Sequence, residues 1–188
     1  SLAPLWLKNK FLDVIQREKQ FAQEGKSAHI IAKMNSLCDR DIIAALYEAA
    51  ASGVKIDLIV RGICCLRTGI KGVSENITVR SIVGNFLEHG RIFYFENDEH
   101  YEIYCGSADW MPRNLERRVE ILFPVDEPRL KEKLLYILYS QLHDNVKASV
   151  LQADGSYTRA NKRGKKQYCS QEIFCREAVE EAGKASGE

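Results

Sequence analysis

The sequence predicts an α/β fold in which helices flank a mixed β-sheet. The predicted elements follow the order helix, strand, helix, strand, further strands and helix, as in a layered α/β domain. The chain has 188 residues, of which 45% are hydrophobic and 28% are charged, enough for one compact domain with a buried core. The formal net charge is +1, so any anion site must come from local clustering of basic residues.

The first predicted helices and strands follow from hydrophobic periodicity. Apolar residues recur near a helical period over residues 8–23, and a second helix is predicted over 39–51, with an aspartate at its start and glycine after its end. The segment HIIAKMN is a predicted strand with Lys33 and Asn35 on one face. KIDLIVRG is the next strand and has Arg61 at its carboxyl end, where α/β sheets place ligands.

The middle of the chain is predicted to be rich in strands. After an irregular, glycine-spaced loop, TVRSIVG is a short strand, and residues 89–96 and 100–105 form a hairpin around the polar turn NDE. RRVEILFPV is a further strand. A helix with apolar residues on one side is then predicted from Pro128 to about Asp144.

The composition changes after about residue 147 and predicts a boundary there. Residues 1–148 are predicted to form the domain, and residues 149–188 a mobile polar and basic extension with a short terminal helix in QEIFCREAVEEAG. The basic segment 162–166 is either simply solvated or able to guide a long polyanion by screened attraction. The abrupt start at SLAPLWL is typical of a piece of a larger polypeptide.

Several classes of protein are disfavoured by the composition. The 6 cysteines include no CxxC pair and no zinc-type spacing with histidine, which indicates reduced thiols inside a cell. There is no signal peptide and no long apolar run, so we expect no membrane span. The near-neutral charge gives no prediction of nucleic-acid binding.

Basic residues and a histidine recur in three separated segments and favour phosphate chemistry. Arginine offers a permanently charged planar fork, and histidine can give, take or carry a proton or a phosphoryl group. The segments contain Arg61 and Arg67; then Arg80, His89 and Arg91; then Arg113, Arg117 and Arg118. If the strand ends meet at one edge of the sheet, these groups converge on a single pocket.

The central motifs resemble those of a known family. FLEHGRIFYFEN followed by GSADWMPRNLERRVEILFPV closely resembles the C-terminal part of the long bacterial polyphosphate kinases, and the resemblance runs from LAPL near the start to SQE at Ser170. That family is built from two phospholipase-D-like halves, and this chain is similar to the last half. The implied fold is therefore a phospholipase-D-like α/β half.

The resemblance implies a function for the whole protein. The full enzyme would move the terminal phosphate of ATP reversibly to polyphosphate, through a phosphohistidine in an upstream half that this chain lacks. The implied partners are ATP, ADP, polyphosphate, that upstream half and further copies of the enzyme, with no nucleic acid. Mg²⁺ is the implied cofactor, with its ligands mainly outside this chain. The implied location is cytoplasmic, with peripheral association at the inner membrane left open.

The resemblance also implies site residues. Arg61 and His89 match family residues that contact nucleotide phosphate, and His89 is the catalytic candidate, as a binding residue or proton donor and acceptor rather than the covalent carrier. Further candidates for phosphate contact are Lys33, Asn35, Arg80, Arg91, Ser107, Asn114 and Arg118.

Two alternative functions stay open on the sequence. One is a dimeric phospholipase-D-like phosphodiesterase or nuclease with His89 as nucleophile. The phospholipase-D pattern has a lysine where this chain has Arg91, and an asparagine is usual at the position of Asp109, so these departures argue against it. The other is a non-catalytic polyanion-binding module. Ser107 can serve either as a phosphate donor or as a turn residue.

Overall fold

The computed structural model describes residues 1–185, in which helices cover both faces of an eight-stranded sheet. The strands are β1 (His29–Met34), β2 (Lys55–Val60), β3 (Ile77–Ile82), β4 (Arg91–Phe95), β5 (Glu102–Gly106), β6 (Leu122–Pro124), β7 (Ala148–Leu151) and β8 (Tyr157–Arg159). The helices are α1 (Leu7–Gln23), α2 (Arg40–Ala51), α3 (Pro128–His143) and α4 (Ser170–Ala185), and a π-helical turn covers Arg113–Arg117.

The sheet is mixed, as the sequence predicts. The strand order is β6-β5-β4-β1-β2-β3-β7-β8. β1, β2 and β3 are parallel to one another, whereas each remaining pair is antiparallel. The carboxyl ends of β1 and β2 therefore lie at the same edge as the start of β4 and the end of β5.

Alternation along β1 divides its side chains between two cores. Ile30 and Ala32 belong to the larger core, which is completed by α1 and α2. Ile31 belongs to a smaller core together with Leu138 of α3, and we call this side of the sheet the α3 face. Because alternation also places Lys33 and Asn35 on the α3 face, these polar residues lie at the end of the sheet beneath α3 rather than in the larger core.

The hairpin between β4 and β5 is held by a buried carboxylate. Its turn contains Asn97, Asp98 and Glu99, all with positive φ. Glu18 of α1 is fully buried and accepts hydrogen bonds from the backbone N–H of Asn97 at 2.8 Å and of His29 at 3.3 Å. The predicted turn is thus confirmed, and its unusual backbone is stabilised from the neighbouring helix.

Two predicted strands are shorter than expected. β4 begins at Arg91, so His89 lies in the segment before the strand and not on it. The predicted strand RRVEILFPV is reduced to β6, because the preceding residues form the π-helical turn and then run irregularly up to Glu120. Asn114 in that turn donates to the Glu120 carboxylate at 2.6 Å, which fixes the backbone away from the sheet.

The sheet continues beyond residue 148, where the sequence predicts the domain to end. β7 pairs with β3 and β8 pairs with β7, and α4 follows in the segment where a terminal helix is predicted. The polar composition of this region reflects its position at the sheet edge, where all residues of β8 are exposed. Residues 186–188 of the predicted extension lie outside the described residues. Within 1–185, none of the helices combines the length and apolar character needed to cross a membrane.

Candidate functional site

The ends of β1 and β2 approach closely and place two candidate residues side by side. The Gly62 N–H donates to the Asn35 carbonyl oxygen at 2.7 Å, and a Cβ at Gly62 would lie only 2.9 Å from that oxygen. The absence of a side chain at Gly62 therefore permits the approach. Arg61, half-buried, follows β2 directly and donates from Nε at 3.2 Å and from Nη2 at 2.7 Å to Asn35 Oδ1.

A buried carboxylate links this pair to β4. Asp109 accepts a hydrogen bond from the backbone N–H of Asn35 at 2.8 Å. It also accepts from Arg91 Nε at 3.1 Å and Nη2 at 3.4 Å. Trp110, fully buried and stacked on Phe93 with ring centroids 5.3 Å apart, fixes the loop that carries Asp109. One carboxylate therefore organises the ends of β1 and β4.

Lys33 adds a third cation to the cluster. Its side chain is 6% exposed, and Nζ donates to the Gly90 carbonyl oxygen at 3.2 Å and lies 3.4 Å from Glu88 Oε2. Burial lowers the pKa of Lys33, and the nearby charges of Arg61 and Arg91 lower it further, whereas Glu88 opposes this. The three cations are therefore close enough to influence one another, which favours binding of an anion.

His89 is exposed beside this cluster, and its backbone is fixed. Arg91 Nη1 donates to the His89 carbonyl oxygen at 2.7 Å, while Lys33 holds the next carbonyl, that of Gly90. His89 lines an open groove of about 580 Å³ between the sheet, α3 and α4. The walls of the groove include Ile92 and Phe174, so part of the surface around His89 is apolar.

The segment before His89 is anchored by two glutamines that the sequence analysis did not identify. Gln141 of α3 donates to Glu88 Oε2, and Gln171 of α4 donates to Glu88 Oε1 at 2.8 Å. Gln171 also pairs with the backbone of Phe86. Neither glutamine has a local sequence signal, because the interaction joins residues more than fifty positions apart.

Ser107 and Asn114 lie in a neighbouring polar group centred on Glu120. The Ser107 hydroxyl and the Asn114 amide both donate to the Glu120 carboxylate, and the hydroxyl oxygen accepts from the Ile121 N–H at 3.2 Å. Ser107 follows Gly106, which pairs with Arg91 across the sheet. In this structure both side chains are engaged in structural hydrogen bonds at the same edge of the sheet.

The predicted convergence of all the basic residues is only partial. The structure brings together Lys33, Arg61, Arg91 and the backbone of His89. Arg80 lies elsewhere on the α3 face, where it donates to the Asp144 carbonyl oxygen at 3.1 Å and lines a different cavity. Side-chain alternation places Arg80 on the α3 face, as it does Lys33 and Asn35. Arg80 nevertheless lies in the middle of β3 rather than at its carboxyl end. Four other arginines are exposed and make no hydrogen bond to the cluster within residues 1–185: Arg67, Arg113, Arg117 and Arg118.

The acidic residues of the site do not fit a Mg²⁺ ion. Within residues 1–185 no group of three or more His, Cys, Asp or Glu side chains is arranged to hold a metal. Asp109 is occupied by Arg91 and Asn35, and Glu88 by Lys33 and the two glutamines. Because Mg²⁺ needs carboxylate or phosphate oxygens that are free to coordinate, these two carboxylates are not suited to hold it.

The fold agrees with comparisons to known proteins. The structure resembles a polyphosphate kinase from Porphyromonas gingivalis, with a TM-score of 0.92 and 36% identity over 98% of this chain and 28% of that one. A phospholipase D family member from Salmonella typhimurium shares the fold, with a TM-score of 0.56 and 16% identity over 85% of this chain and 96% of that one.

Comparison of sequences also finds polyphosphate kinases. A polyphosphate kinase from Pseudomonas putida is 58% identical over 162 residues, which are 86% of this chain and 22% of that protein. One from Synechocystis is 51% identical over 181 residues, 96% of this chain and 25% of that protein. The chain thus spans about a quarter of the length of these curated relatives. The model of the polyphosphate kinase C-terminal domain 2 matches residues 1–171, and the chain therefore belongs to the polyphosphate kinase family as this domain.

Proposed function

We propose that this domain binds nucleotide phosphate for a polyphosphate kinase that transfers the terminal phosphate of ATP reversibly to polyphosphate. The observation that carries the proposal is the cluster of Lys33, Arg61 and Arg91 at one edge of the sheet, with the exposed His89 beside it. Phosphoryl transfer depends on charge neutralisation and alignment, which these side chains supply.

The hydrogen bonds divide the arginines between two roles. Arg61 uses Nε and Nη2 to bind Asn35, and its Nη1 has no hydrogen-bond partner within residues 1–185, so it is available to a phosphate oxygen. Arg91 uses Nε and Nη2 on Asp109 and Nη1 on the His89 carbonyl. Arg61 is therefore the proposed binding residue, and Arg91 the residue that positions His89.

His89 is proposed to stabilise charge or move a proton during transfer. His89 is exposed, and its groove shares Lys33 and Glu88 with the small cavity that Arg61 lines, so a phosphate held by Arg61 would lie near it. The phosphohistidine that carries the phosphoryl group is assigned to an upstream half of the enzyme. Since this chain spans about a quarter of its relatives, we expect the chain alone not to make polyphosphate from ATP.

The test is an Arg61→Ala variant of the full-length enzyme. Loss of one charge-assisted contact in a partly desolvated site should weaken ATP binding by about 1.5–3 kcal/mol, roughly tenfold or more. Arg61→Lys should restore only part of it, because a point charge cannot replace a planar fork. Arg113→Ala removes an exposed arginine outside the cluster and serves as the control. An Arg61→Ala enzyme with unchanged affinity and rate would contradict the proposal.

A further inference from the structure

A second cavity, of about 640 Å³, lies on the α3 face and shares no lining residue with the groove at His89. Its volume is within the roughly 300–1,000 Å³ that is typical of small-molecule sites. It lies between β2, β3 and β7, the end of α3 and residues 160–168. The basic side chains that line it are Lys55, Arg80, His143, Lys165 and Lys166.

The outer wall of this cavity is held in place at both ends. The Ala160 N–H donates to the Ala148 carbonyl oxygen at 3.0 Å, which fixes the start of the segment to β7. At the other end the Asn145 side chain donates to the Lys166 carbonyl at 2.9 Å and accepts from the Tyr168 N–H at 2.9 Å. The two lysines are therefore carried on a wall whose backbone is hydrogen-bonded to the domain.

Arg80 forms the inner end of the cavity. It is half-buried, and Nη1 donates a hydrogen bond to the Asp144 carbonyl oxygen at 3.1 Å. Burial lowers the pKa of Arg80, while Asp57 and Asp144 oppose this from a distance. Within residues 1–185 the other side-chain nitrogens of Arg80 have no hydrogen-bond partner, so this cation is only partly compensated.

The nearby carboxylates are engaged by other groups. Asp57 accepts from His29 Nε2 at 2.8 Å and from the Thr78 hydroxyl, and lies 3.2 Å from Lys55 Nζ. The Asp144 carboxylate accepts hydrogen bonds from Ser170 and from the backbone N–H groups of residues 146–148. Lys165 and Lys166 form no ion pair within residues 1–185. Cations thus outnumber carboxylates around this cavity.

We propose that this cavity is a second anion site, which binds a linear chain of inorganic phosphates of at least triphosphate length. Several cations line one cavity, which suits a ligand with several negative charges rather than a single carboxylate. The site is separate from the one at Arg61, and its existence does not depend on catalysis by this domain. A nucleoside triphosphate carries the same phosphate chain and is distinguished below by experiment.

The test is calorimetric titration of the 188-residue chain with tripolyphosphate at constant salt. Lys165→Gln/Lys166→Gln should weaken binding at this site about tenfold. Lys162→Gln/Arg163→Gln is the matched control, because it removes the same charge from the same segment at residues that do not line the cavity. The control should change the affinity less than twofold. Equal losses in both double variants would overturn the site, since they would indicate general attraction to a basic segment.

An Arg80→Gln variant tests the inner end of the cavity. It should also weaken tripolyphosphate binding at least tenfold, and where this variant does not fold the lysine pair decides the result. Arg61→Ala should leave this binding event in place, which keeps the outcome independent of the proposed nucleotide site. Unchanged tripolyphosphate binding in Lys165→Gln/Lys166→Gln would refute the inference.

A parallel titration with ATP identifies the source of the phosphate chain. If the site is for inorganic chains, Lys165→Gln/Lys166→Gln should weaken tripolyphosphate binding and leave ATP binding within twofold of wild type. A larger loss for ATP than for tripolyphosphate would overturn the assignment in favour of a nucleotide site.

Discussion

The Gln171 side chain forms a reciprocal pair of hydrogen bonds with the backbone of Phe86. Gln171 Nε2 donates to the Phe86 carbonyl oxygen at 3.0 Å, and the Phe86 N–H donates to Gln171 Oε1 at 3.1 Å. The same Nε2 reaches Glu88 Oε1 at 2.8 Å. Helix α4 therefore holds the segment that leads into His89, although it lies beyond the boundary that composition predicts.

Replacing Gln171 by alanine should make the segment that carries His89 less well fixed, without changing His89 itself. Two partly buried hydrogen bonds to the backbone of Phe86 would be lost, at a combined cost of about 1–3 kcal/mol in unfolding free energy. In the full-length enzyme we expect turnover to fall about tenfold, and urea unfolding together with steady-state kinetics measures both effects. Gln16→Ala changes an exposed glutamine of α1 and should alter neither the unfolding free energy nor the turnover. Wild-type kinetics in Gln171→Ala would show that this anchor is dispensable.

Gly84→Ala disturbs the same contact from the opposite side. A Cβ at Gly84 would lie 2.2 Å from Gln171 Oε1, so the glutamine must move away. We expect a similar loss of turnover. Because both changes act on one interaction, the double variant should be no worse than the more severe single variant. Full additivity in the kinetic measurements would mean that the two residues act separately.

Asp109→Ala should destabilise the fold as well as the site. It leaves the mostly buried Arg91 without its partner and removes the acceptor for the Asn35 N–H. Breaking such an ion pair should lower the unfolding free energy by about 3 kcal/mol, measured by urea denaturation. Asp109→Asn keeps an acceptor oxygen and should therefore lose less unfolding free energy than Asp109→Ala. Asp154→Ala changes an aspartate in an exposed turn and provides the control. Equal stability of all three variants would argue against a structural role for the Asp109 carboxylate.

Glu18 should make stability depend on pH. Burial raises the pKa of Glu18 from 4.5 to about 7, against the opposing hydrogen bonds from Asn97 and His29. Between these values Glu18 binds more protons in the folded state than in the unfolded state, so its contribution to stability is greatest below pH 4.5 and is lost as pH rises to about 7. The total loss should be about 3 kcal/mol.

The pH dependence can be isolated by substitution. Glu18→Gln should remove this fall, whereas Glu132→Gln, at an exposed position of α3, should retain it. Urea unfolding at a series of pH values across this window measures the difference. Parallel curves for wild type and Glu18→Gln would show that Glu18 does not titrate in this range.

His89→Ala should slow transfer in the full-length enzyme by on the order of 10²–10⁴-fold, if the imidazole stabilises charge or moves a proton in the transition state. A labelled phosphoenzyme should still form on the upstream histidine, and peptide mapping locates the label. His100→Ala changes an exposed histidine in the hairpin turn and is the control. Label on His89 of the wild-type enzyme would instead support a phospholipase-D-type nucleophile.

Local pattern was sufficient to predict much of this protein. Periodicity and end signals predict α1, α2 and α3 and the core of each strand from β1 to β5, because each depends on residues close in sequence. Side-chain alternation alone places Lys33 and Asn35 on one face. The direction of β2 places Arg61 at the edge of the sheet where the structure has it. The family motifs then point to phosphate chemistry at that edge.

The features that depend on pairing between distant segments were decided only by the tertiary structure. Strand order and register send Arg80 to a separate cavity, although it shares a face with the site. Pairing of β7 with β3, and of β8 with β7, makes part of the polar tail that composition predicts to be mobile into two strands of the sheet. The contact of Gln171 with Phe86 spans 85 positions, and no local pattern encodes it. Side-chain periodicity is a property of neighbouring residues, whereas pairing between distant segments is selected by the free energy of the whole packed fold.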